Sequence, residues 1–176
     1  MQNIEKILRF QIEKNDKAIL YFPCEDGLDI SCMIDTGANV PIWFMGEDFL
    51  KKKYPSAVKT DKITVIHGLG ENPLWDVPVW QIPEFILTDD EGETLLFHDL
   101  LLPVIEAEQF SFYMLLPLTM LNRTRFTFDY RSSAGYGYFT IEADKQDFYI
   151  RPVYVAGHEN YLNRIQAFLQ KEEVTY

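Results

Sequence analysis

Cys32-Met33-Ile34-Asp35-Thr36-Gly37-Ala38 is an apolar run that stops abruptly at an acidic residue followed by a turn. Working back from it, Leu28 to Ile34 and Ala18 to Phe22 are both β-type, and Asp26-Gly27 between them is a strong short hairpin signal. The spacing predicts a two-stranded ribbon delivering Asp35 to a strand end. A loop over Glu25-Asp26-Gly27-Leu28 would set Cys24 opposite Asp29 and Cys32 opposite Tyr21. The two thiols would then point to opposite faces as free, packed cysteines rather than a disulfide.

The β pattern continues outward. Leu8, Phe10 and Ile12 alternate with polar residues, and Asn15-Asp16 marks a turn. Residues 46–54 read as a short helix stopped by Pro55. Lys62 to His67 and Val77 to Leu87 are two β arms around a tip containing Gly68-Leu69-Gly70. Pro73, Pro78 and Pro83 predict that the second arm is an edge or irregular strand. Asp89-Asp90-Glu91-Gly92-Glu93 reads as an exposed turn. Leu100 to Ile105 and Phe112 to Leu116 read as buried strands, and Phe126 to Tyr130 alternates again. Tyr138 to Ile141 and Phe148 to Val155 would form a last hairpin. From Asn160, the residues Leu162, Ile165, Phe168 and Leu169 fall at helical spacing and predict a terminal amphipathic helix.

Composition narrows the function. The chain has 176 residues, 47% of them hydrophobic, which suffices for a core. The net charge is −11, and no Lys or Arg occurs between Ile63 and Asn122, where ten acids stand. Nucleic acid is therefore not an expected partner, because phosphate contact needs a basic surface. The acidic window reads first as a solubilising face, with an anionic rim for basic partners as the functional alternative. No apolar run is long enough for a membrane span, and no signal-peptide core follows Met1. The expectation is a cytoplasmic chain without membrane partners.

His67, His98 and His158 share no metal-ligand spacing, so neither a metal nor another cofactor is expected. Gly68-Leu69-Gly70-Glu71-Asn72-Pro73 lacks the last glycine and the following helix of a dinucleotide loop, and no Gly-x-Ser-x-Gly occurs. The remaining candidate is Asp35. A single carboxylate is a poor hydrolase. Two carboxylates about 3 Å apart share one proton, so that one can act as base on a water while the other polarises a carbonyl. Asp-Thr-Gly arises by chance in roughly one chain in twenty-five of this length, so the context has to carry the reading.

That context resembles the retropepsin-like aspartic proteases over about residues 5–142. The order runs from the hairpin into Met33-Ile34-Asp35-Thr36-Gly37-Ala38, then Val40-Pro41-Ile42-Trp43, then a candidate flap with Gly68-Leu69-Gly70 at its tip. Phe112-Tyr113-Met114-Leu115-Leu116-Pro117-Leu118, Met120-Leu121 and Phe126-Thr127-Phe128-Asp129-Tyr130 follow. The resemblance implies a mainly β, closed acid-protease barrel with a flap hairpin and short helices, over residues 1–143. A C-terminal extension of hairpin and helix would occupy 144–176. It implies a homodimer cleaving peptide or protein substrates, with one Asp35 from each subunit. Thr36 would brace the paired loops, and Gly37 would lie against substrate backbone. Ala38, Ile66, His67, Gly68, Leu69 and Gly70 would contact substrate. Pro117 stands where the family's hydrophobic-hydrophobic-Gly motif has glycine, which places the geometry of that loop in question. Asn39 and Val40 also depart from the family's small hydroxyl residues. A catalytically inactive peptide- or protein-binding module on the same fold remains the alternative, and an assembly protein docking through its terminal helix is a third.

Overall fold

The computed structural model describes residues 6–13, 17–121, 124–131, 135–144, 147–149 and 156–157. The expected Asn15-Asp16 turn and the terminal helix from Asn160 lie outside these residues. Among them the chain is mainly β: twelve strands, one α-helix and one short 3₁₀ turn. Among the described residues no helix is long and apolar enough to cross a membrane.

Strand β1 (Lys6–Glu13) pairs with β10 (Tyr136–Ala143), which pairs with β9 (Thr124–Asp129), all antiparallel. Leu8, Phe10 and Ile12 are buried while their neighbours face out, as the alternation predicts. A four-stranded sheet has the order β2 (Ile19–Pro23), β3 (Asp29–Asp35), β8 (Met114–Pro117), β4 (Ile42–Trp43). The third sheet holds β5 (Val58–Ile66), β6 (Leu74–Thr88) and β7 (Thr94–Pro103) as a meander, with β11 (Asp147–Tyr149) beside β7 and β12 (Ala156–Gly157) beside β5. In these pairings no sheet closes on itself. The main core joins inward residues of all three sheets, among them Phe10, Phe22, Trp43, Phe85, Phe97 and Phe139. Helix α1 (Gly46–Lys53) buries Leu50 and ends before Pro55; its Lys53 is buried and ion-paired with Asp26 at 3.1 Å.

Four expectations need correction or narrowing. First, the β2–β3 loop is one residue shorter than expected. The Gly27 amide donates to the Cys24 carbonyl, Gly27 takes φ +76°, and Cys24 faces Leu28. This is a three-residue loop with glycine in the left-handed position. Cys32 is therefore opposite Leu20, and Cys24 and Cys32 enter the same core. They remain free thiols. A one-residue change of register reverses the face of a side chain.

Second, of the two alternatives for the second arm, an edge or an irregular strand, β6 is irregular but not an edge: it lies between β5 and β7. Its prolines sit where the ladders are already broken. Pro78 adjoins the register shifts of the β5–β6 pair, and the β6–β7 ladder skips Pro83, whose counterpart Asp99 has φ +52°. Third, Asp89 is buried rather than exposed. Its Oδ1 accepts the amides of Glu91 and Glu93, and its Oδ2 accepts that of Arg9 on β1 at 2.8 Å. Asp90 Oδ2 likewise accepts the Gln11 amide at 2.7 Å. Fourth, among the described residues β10 forms no hairpin with β11, which holds Phe148 and Tyr149 of the expected second arm; residues 150–155 lie outside the described residues. Both edges of β10 are taken by β1 and β9, so β11 runs parallel to β7 instead.

Candidate active site

Strand β3 is flanked on both sides by β2 and β8, and Ile30, Ser31, Cys32 and Ile34 are all buried. A near-continuous apolar run is what such an interior strand requires. The run ends at Asp35, which is half-buried and pairs in register with Pro117. The Gly37 amide donates to Asp35 Oδ1 at 2.8 Å, the bond by which an aspartate closes a turn on itself. The Ala38 amide donates to the Asp35 carbonyl at a longer 3.4 Å. Thr36 and Gly37 are exposed, and Ala38 is half-buried. Among the described residues the Thr36 hydroxyl has no partner within the single chain.

The turn does not rest on the conformational freedom of Gly37. Its φ lies outside the left-handed region, and an added Cβ would meet only Asp35 Oδ1, at 3.4 Å. Nothing among the described residues demands glycine here. The space in front of it is open to another molecule.

Pro117 proves harmless to the pairing with β3. The Tyr113 carbonyl accepts the Phe44 amide, so it points toward the β4 side. The next amide, in the same planar peptide, points the other way, toward β3. Alternation along β8 then turns the nitrogen at position 117 away from β3. Within β8, strand β4 pairs only with Met114 and Leu115, so it offers no ladder acceptor opposite Pro117.

The β5–β6 hairpin brings its tip to the same region. A second apolar cluster, separate from the main core, contains Ile42, Phe44, Ile66, Val77, Ala107, Phe112 and Leu115. Half-buried Met33, Ala38, Val40 and Leu69 pack against it. The cluster thus joins Ala38, just past the Asp-Thr-Gly turn, to Ile66 and Leu69 of the hairpin. Phe44, Phe110 and Phe112 form its floor, with ring centroids 4.5 to 5.4 Å apart. His67, Gly68 and Gly70 are exposed at the tip, where Gly68 takes φ +87°. The hairpin itself is irregular near the tip, with a register shift between Thr64 and Ile66 and a φ of +54° at Asp76.

Sequence reasoning did not find Thr119. Its hydroxyl donates to the Asn39 carbonyl at 2.9 Å, tying the segment after the turn to the 3₁₀ turn Leu118–Leu121. The two residues are 80 positions apart, and no local signal announces the bond. Among the described residues no group of three or more His, Cys, Asp or Glu is arranged to hold a metal ion.

The carboxylate is thus presented at the end of a rigid strand, next to an exposed Thr-Gly and an apolar patch shared with a hairpin. Such an arrangement can hold an extended peptide between turn and hairpin. One carboxylate lacks the partner that peptide hydrolysis by an acid–base pair needs. Comparison with known proteins adds little weight. No family model matches the chain, and no curated protein matches it. Six chains of solved structures match. One of them is a retropepsin-like aspartic protease from Rickettsia conorii, 16% identical, covering 78% of this chain and 94% of that one with a TM-score of 0.43. At that level the likeness carries no argument about what this chain does.

Proposed function

We propose that the chain is one subunit of a homodimeric, retropepsin-type aspartic endopeptidase, with its protease domain over residues 1–143. The observation that carries this reading is Asp35 itself: half-exposed at the end of a buried interior strand, in an Asp-Thr-Gly turn whose Ala38 shares an apolar cluster with the tip of a β-hairpin. Two copies related by a two-fold axis would bring two Asp35 carboxyls together, and the pair would hold one proton between them. The dyad titrates as a unit. Its ionised member takes a proton from water, and the resulting hydroxide bonds to the scissile carbonyl carbon. Its protonated member donates to the carbonyl oxygen. Collapse of the tetrahedral diol breaks the C–N bond, with a proton delivered to the leaving amine. Thr36, whose hydroxyl has no partner among the described residues, would brace the opposing loop. Gly37 leaves room for substrate backbone. Ala38, Ile66, His67, Gly68, Leu69 and Gly70 form the contact surface under the hairpin, whose closure excludes water. The chemistry requires no metal or organic cofactor. Two buried, free cysteines accord with a cytoplasmic setting.

The test is Asp35→Asn against wild type on a peptide library. Cleavage should disappear while the far-ultraviolet spectrum and unfolding midpoint hold. Surviving cleavage would refute the proposal.

One observation favours an inactive peptide- or protein-binding module instead. The outer amides of β1 at Arg9 and Gln11 are already occupied by Asp89 and Asp90. Strands β11 and β12 also cap the meander from within the chain. These are edges on which a second copy would otherwise pair. Light scattering across micromolar concentrations separates the two readings: a dimer supports the enzyme, and a monomer throughout supports the binding module.

A further inference from the structure

We infer that Thr119 is a positioning residue whose hydroxyl sets where the Asp35 turn sits relative to the frame of the protein. This rests on the protease reading proposed above. Six residues, 36 to 41, connect β3 to β4. Among the described residues three hydrogen bonds involve this segment. Two of them, from Gly37 to Asp35 Oδ1 and from Ala38 to the Asp35 carbonyl, begin and end inside the turn. They shape it without placing it. The third, from Thr119 Oγ1 to the Asn39 carbonyl at 2.9 Å, comes from outside.

Thr119 is well chosen as an anchor. It follows β8 by two residues, and β8 is buried at all four positions and paired with both β3 and β4. Met120 and Leu121 just beyond it are buried as well. A β-branched side chain has few χ1 states, so its hydroxyl is aimed in advance. Asn39 lies four residues past Asp35. Releasing its carbonyl leaves the far end of the turn held by the packing of Ala38 and Val40 without a hydrogen bond, while the near end is the strand itself. Catalysis by paired carboxyls is sensitive to displacements of about 1 Å, so this small tether has leverage over rate. Substrate binding, which draws on the hairpin and the apolar cluster, should be affected less.

The experiment compares wild type, Thr119→Val and Thr119→Ser in steady-state cleavage and in amide hydrogen exchange at Gly37 and Ala38. Valine keeps the shape and removes the donor; serine keeps the donor. Thr119→Val should lower kcat by about tenfold with KM within about twofold, and shift the apparent pKa values of the pH–rate profile. It should also speed exchange at the two amides by about tenfold. Thr119→Ser should restore both to within about twofold of wild type. Thr119→Ala repeats the donor deletion should valine disturb the packing. Unchanged exchange in Val and Ala overturns the inference, as does a Ser variant that behaves like Val. If wild type cleaves nothing, the protease reading fails by itself, and the exchange comparison still decides whether Thr119 holds the turn.

Discussion

Gly37→Ala separates what the fold needs from what the site needs. Among the described residues an alanine Cβ at position 37 touches only Asp35 Oδ1, at 3.4 Å, an ordinary van der Waals separation. The backbone there is not left-handed. Alanine at a compatible glycine position removes freedom from the unfolded chain and stabilises by about 0.4–1 kcal/mol. Slight crowding of the carboxylate offsets part of that, so the net change should fall within about 1 kcal/mol of zero. With a urea slope of about 2 kcal/mol per molar, the midpoint should move by no more than about 0.5 M. Activity should behave oppositely. The methyl projects into the space that the substrate backbone and the opposing loop would occupy, and kcat/KM should fall at least about a hundredfold, near 2.7 kcal/mol of transition-state stabilisation. Urea unfolding and peptide cleavage on the same preparation read both quantities. Destabilisation beyond about 1 kcal/mol would show that the turn needs glycine for folding. Retained cleavage would show that nothing approaches Gly37, and the reasoning about the site would fail.

Two further outcomes follow from the same geometry. At Gly137 on β10, a Cβ would lie 2.6 Å from the Asp129 carbonyl oxygen and 2.8 Å from Tyr130 Cδ1, so Gly137→Ala should destabilise by about 3 kcal/mol; a loss under about 1 kcal/mol in urea unfolding would contradict the packing described for the β9–β10 pair. Burial holds the Cys24 thiol up at about 12 and pushes Cys32 up too, while unfolded thiols ionise near 8.5. The raised folded values mean that this stability is complete below about pH 8.5 and is lost as pH climbs toward 12, since only the unfolded chain sheds the protons. Urea midpoints measured from pH 8 to pH 10 should therefore decline, less steeply in Cys24→Ala, and identical slopes would refute the assignment.

What the sequence determined by itself was local and periodic. The alternation in Leu8, Phe10 and Ile12 sets which face of β1 is buried, because neighbouring side chains in a strand must point opposite ways. Pro55 stops α1 after Lys53, since proline removes the donor that the next turn needs. The apolar run ending at Asp35 marks an interior strand with a carboxylate at its end, and that much of the candidate site was readable from residue types alone. Tertiary structure decided whatever depends on partners distant in the chain. The choice of a three-residue rather than four-residue hairpin loop put both cysteines in one core. Interior placement of β6 was hidden because its prolines sit at ladder defects that only β5 and β7 reveal. Asp89 looked like one more acid in an exposed turn until the Arg9 amide, 80 residues earlier, became its partner. The same separation hid the bond from Thr119 to Asn39. Strand pairing and capping between distant residues leave no periodic trace, because each end satisfies a backbone group whose position is fixed only when the sheets assemble.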